Sequence, residues 1–92
     1  MEHLALAKSL LQRARQIIEH DDGFTFVFEK SPFLEMQIAN WVSKEKRCCP
    51  FFSFELSSTN TPPLLNLKIS GPDGAKEILR PELVKTYNYL LH

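Results

Sequence analysis

The sequence predicts an α+β fold in the order α-β-α-β-β-α, with a small three-stranded, mainly antiparallel sheet and helices packed on one face. Three observations carry this expectation. Apolar residues recur at helical spacing through the first twenty positions, phenylalanines then fall on every second residue, and two more alternating runs follow a helix that ends at a proline. All six elements fit one domain, residues 1–92, within the usual size range of a single core.

The first element is a helix from Glu2 to His20. Leu4, Leu6, Ala7, Leu10, Leu11, Ala14, Ile17 and Ile18 share one side, and Lys8, Gln12, Arg15, Gln16 and Glu19 the other. Asp21-Asp22-Gly23 ends it, with Gly23 as a left-handed terminator. The strand Phe24 to Glu29 follows, its phenylalanines on one buried face. Ser31-Pro32 reads as an N-cap and first-turn proline, opening a helix from Phe33 to Arg47 or Cys48. Its apolar face carries Leu34, Ile38, Trp41 and Val42, and Pro50 stops it.

Phe52, Phe54 and Leu56 alternate with Phe51, Ser53 and Glu55 in a second strand. A polar loop, Ser57 to Pro63, leads to a third strand with Leu65, Leu67 and Ile69 on one face. The short connection makes an antiparallel hairpin the default. Phe51, Leu64 and Val27 fall on the face away from the helices, where they would be exposed together. Ser70-Gly71-Pro72-Asp73-Gly74 is a turn into a last helical stretch, which Pro81 interrupts before Leu83, Val84, Tyr87, Leu90 and Leu91 renew its apolar face.

Composition narrows the function classes. Lys and Arg together number 11 and so do Asp and Glu, so there is no basic field to capture nucleic-acid phosphates. No apolar run reaches a membrane-spanning length, and the first residues lack the basic and apolar blocks of a signal peptide. Two cysteines without a secretion signal point to a cytoplasmic protein with free thiols.

Those thiols, Cys48 and Cys49, are the main chemical feature. Neighbouring cysteines close a strained ring if they bond to each other, so they are expected as two free thiols side by side. Glu45 falls in the middle of the apolar arc of its helix, between the positions of Trp41 and Ile38 and one turn before the cysteines. A carboxylate placed there is costly unless it reaches water, pairs or takes up a proton. Glu45, Cys48 and Cys49 thus form a candidate site for a thiophilic metal ion, with Arg47, Trp41 and Pro50 supporting it. Lys44, Lys46 and Arg47 favour thiolates, while the negative end of the helix dipole opposes them. The plainer alternative is packing, since free cysteine is among the most buried residue types. A closed zinc site needs four ligands, more than this cluster holds, and a redox pair of thioredoxin type needs two intervening residues.

The stretch Glu45-Lys46-Arg47-Cys48-Cys49-Pro50-Phe51, its aromatic strand and the downstream Gly71-Pro72-Asp73-Gly74 segment with Ile78 and Leu79 resemble a family of small bacterial proteins without an assigned activity. The likeness spans Trp41 to Leu79, and departs from the family in Ser57 to Pro63, where relatives carry more glycine. It implies that Glu45, Arg47, Cys48, Cys49 and Pro50 form the family's defining cluster, and it implies no reaction.

Three functional readings follow. The first is a small protein that holds a thiophilic metal or metalloid ion through the vicinal cysteines. The second is a non-catalytic interaction or homodimerisation module with the cysteines in its core. The third, least favoured, is an enzyme with a cysteine nucleophile, since His3, His20 and His92 all lie far away in sequence.

Overall fold

The computed structural model describes residues 12–77, and at Cys48 the backbone. Four strands and one long helix follow in the order β1 (Gln16–His20), β2 (Gly23–Glu29), α1 (Pro32–Cys48), β3 (Ser53–Asn60) and β4 (Pro63–Ser70). The strands form one sheet in the order β1-β2-β4-β3, and each neighbouring pair is antiparallel. Two hairpins therefore meet along β2 and β4, and α1 connects them.

This architecture corrects the expected α-β-α-β-β-α order and its three-stranded sheet. Gln16–His20, expected as the end of the first helix, is a strand that pairs with β2 from Gln16↔Val27 to His20↔Gly23. The adjacent Ile17 and Ile18 satisfied a helical pattern, but β-branched residues also fit a pleated edge, and pairing with the phenylalanine strand decides between them. Asp21-Asp22 is then a hairpin turn. Gly23 lies inside a strand without a positive φ, and its requirement is space: a Cβ there would run into the Ile69 carbonyl oxygen of β4. The first part of the expected helix, and the last helical stretch beyond Glu77, lie outside the described residues.

The second hairpin follows the expected antiparallel pairing but is longer than expected. Ser57 to Pro63, expected as a loop, is strand almost throughout, and the turn shrinks to Thr61-Pro62, whose peptide bond is cis. Ser57, Ser58, Thr59 and Asn60 gave no apolar alternation because all four are exposed, yet each has a partner on β4.

The core lies on one face of the sheet. Phe24, Phe26 and Phe28 of β2 stand opposite Ile69, Leu67 and Leu65 of β4, and all six are fully or almost fully buried. Half-buried Ile17, Phe54 and Leu56 extend this surface towards the two edges. Helix α1 covers it with Leu34, Ile38 and Trp41. Ser31 caps that helix as expected: its backbone is extended, the Leu34 N–H donates to Ser31 Oγ at 3.4 Å, and Pro32 occupies the first turn. On the opposite face, Val27 is buried at 5% exposure and Leu64 is half-buried, so the expected exposed trio with Phe51 does not form. At the far end, the Ala75 N–H donates to the Pro72 carbonyl at 3.0 Å and Gly74 takes the left-handed φ of 94° that favours glycine.

Candidate functional site

Along α1, Leu34, Ile38, Trp41 and Glu45 are 4%, 0%, 5% and 8% exposed. Their spacing of four, three and four residues is that of one helical face. Glu45 is therefore the last member of the buried stripe, and among the described residues it is the one buried charged side chain. The sequence pattern located it there, and the helix holds it there.

The helix ends immediately beyond. Cys48 is its last residue, and Cys49 caps it with φ −130° and ψ 70°. The Cys49 N–H donates to the Glu45 carbonyl at 2.7 Å, so Glu45 and Cys49 belong to one closing turn. The Cys49 carbonyl in turn accepts the Phe52 N–H at 3.1 Å, which folds the chain sharply into β3. Pro50 lies inside this bend, where the N–H it lacks is not needed. The Cys49 side chain is half-buried. Lys46 and Arg47 stand exposed in the same last turn and interact favourably with the helix dipole.

An aromatic ladder lines this corner and escaped the reading of the sequence. Trp41 meets Phe54 edge-on at 6.1 Å between ring centres, Phe54 meets Phe52 at 6.2 Å, and Phe52 meets Phe51 at 4.6 Å. Alternation of Phe52 and Phe54 announced a common face, but not that Trp41 would reach them across the layers. Phe51 precedes the strand and tilts onto Phe52, and it is 44% exposed. The ladder thus runs from the core to the surface. The Trp41 indole N–H is buried at its inner end and meets no acceptor among the described residues. Open grooves flank Lys46, one lined by Pro50, Phe52, Ser53 and Phe54, the other by Ala39, Val42, Ser43, Phe54 and Leu56.

The expected site residues thus divide. Glu45, Cys49, Trp41 and Pro50 gather at the α1–β3 corner with the backbone of Cys48, and Arg47 points to solvent at its rim. Among the described side chains, which leave out that of Cys48, no three His, Cys, Asp or Glu converge as metal ligands. The histidines do not join this corner within the described residues. His20 lies on the sheet face away from α1, where its Nε2 is 2.7 Å from Thr25 Oγ1. His3 and His92 are outside those residues.

Comparison of the chain with protein-family models, with curated proteins and with solved structures gives no match. No helix among the described residues is long and apolar enough to cross a membrane.

Proposed function

We propose that this protein binds a thiophilic metal or metalloid ion at the α1–β3 corner, through the thiolates of Cys48 and Cys49 with Glu45 as a third, harder ligand or proton acceptor. The observation that carries the reading is the burial of Glu45 at 8% exposure in the same helical turn as Cys49. A carboxylate at the end of a core stripe is a short reach from the adjacent thiols, and beside a bound cation its charge is compensated. Binding of a divalent ion by the pair releases two thiol protons and forms two metal–sulfur bonds, and Lys46 and Arg47 lower the cost of the thiolates that form. Thiolates favour Zn²⁺, Cu⁺ and softer ions over Mg²⁺ or Ca²⁺.

Calorimetric titration of the reduced protein with Zn²⁺, Cu⁺ and Hg²⁺ tests the proposal against Cys48→Ser/Cys49→Ser. Tight binding by the native chain and its loss in the double variant are expected. Equally weak binding by both proteins would sink it.

A second reading, a homodimer or interaction module, is favoured by the exposure of Phe33 and Met36, at 66% and 71%, one turn apart on α1. The two readings are compatible, since these residues occupy the other end of the helix.

A further inference from the structure

The two edges of the sheet differ in how they are protected. Edge strands present unpaired N–H and C=O groups, and natural proteins blunt them with short length, Lys, Pro or bulges. β1 is five residues long, and Glu19 on it is engaged by Lys76 at 2.6 Å. β3 is eight residues long and contains neither Lys nor Pro, and its register with β4 runs unbroken from Ser53↔Ser70 to Asn60↔Pro63, leaving no room for a bulge.

The direction of the β3 backbone groups follows from one hydrogen bond. The Pro63 carbonyl accepts the Lys30 N–H at 2.9 Å and so points towards β2. Polar groups of successive strand residues point to alternate sides, so Leu64, Asn66, Lys68 and Ser70 bond to β3. Their partners Thr59, Ser57, Glu55 and Ser53 face inwards, which leaves the N–H and C=O groups of Phe54, Leu56 and Ser58 on the outer edge. No described strand pairs with that edge.

We propose that two copies of the chain pair antiparallel along β3, with Leu56 on the twofold axis, making one continuous eight-stranded sheet. The proposal rests on the dimerisation reading above and names its surface. In this register Leu56 bonds to Leu56 of the partner subunit and Phe54 bonds to Ser58 of the partner subunit, so the outward donors of these three residues meet acceptors. The two Leu56 side chains meet on the helix-covered side, extending the half-buried Phe54–Leu56 strip. A shift of the axis to Glu55 would set that carboxylate against its own copy, which is destabilising. A shift to Ser57 would separate the two leucines. Glu55 is the one charge on β3, and the chain as a whole has a net charge of zero, so no long-range repulsion opposes self-association.

Sedimentation of the native chain is expected to give a mass near twice 10.6 kDa. Ser58→Pro removes an outward N–H and leaves the β4 ladder intact, and it is expected to give a folded monomer. A native monomer would overturn both the dimer and its surface. A dimer that survives Ser58→Pro would overturn this surface alone and point to the Phe33–Met36 end. Should the variant not fold, amide exchange in the native protein decides: protection of Leu56 and Ser58 at high concentration, lost on dilution, supports the pairing, and equal fast exchange at both concentrations overturns it.

Discussion

The two hairpins of this sheet use similar residues for different ends. The first is short at its outer edge and tied to its surroundings by charge. Glu19 meets Lys76, the Asp22 carboxylate meets Lys68 at 3.8 Å, and the Asp22 carbonyl accepts the Gly71 N–H at 3.1 Å. The second is longer, nearly free of charge at its edge, and begins at the bend that carries Cys49, Pro50 and the aromatic ladder. The difference teaches that stabilising detail and chemical opportunity are segregated. The first hairpin carries the charged contacts, and the second, with the end of α1, carries the corner proposed to bind an ion.

Substitutions can break or sharpen that contrast. The largest effect is expected from Gly23→Ala, which sets a methyl group against the Ile69 backbone where β2 and β4 meet. A loss above about 3 kcal/mol, or failure to fold, is expected in denaturant unfolding because backbone cannot give way like a flexible side chain. Next, Leu67→Ala in the buried centre of the second hairpin should cost about 2–5 kcal/mol. The comparable Ile17→Ala on β1 should cost about 1–2 kcal/mol, and equal losses would contradict the difference between half-buried Ile17 and fully buried Leu67. Ser31→Ala removes the cap of α1 and should cost about 1 kcal/mol while leaving ion binding unchanged. The smallest effect belongs to Lys68→Ala, whose ion pair with Asp22 is long and half-exposed; thermal unfolding should register less than about 0.5 kcal/mol.

Much of the second half of the molecule was legible in the sequence. Ser31-Pro32 and Pro50 bracket α1 unambiguously, and helical spacing places Glu45 on the stripe that the fold buries. The first hairpin was misread because Ile17 and Ile18 fit a helix of period 3.6 as well as a strand, and Asp21-Asp22-Gly23 suits a helix end as well as a turn. Only pairing with β2, which the periodicity of one segment does not show, separates the two. Ser57 to Asn60 failed for a related reason: an exposed edge needs no apolar alternation. At the site, residue types and spacing gave the Glu45–Cys49 turn, whereas the contact of Trp41 with Phe54 depends on how helix and sheet are stacked.

If dimerisation follows β3, Ser53 stands three residues from the axis, so the two cysteine corners lie about 20 Å apart along the paired strands. One ion per chain is then expected, in the native protein and in Ser58→Pro alike. The most direct test of the ion-binding claim is X-ray absorption at the metal edge of protein loaded with one equivalent of Hg²⁺ per chain. Two sulfur neighbours per ion in the native protein, and none in Cys48→Ser/Cys49→Ser, is the predicted result. A single sulfur neighbour in the native protein would show that the adjacent cysteines do not share an ion, and would contradict the account.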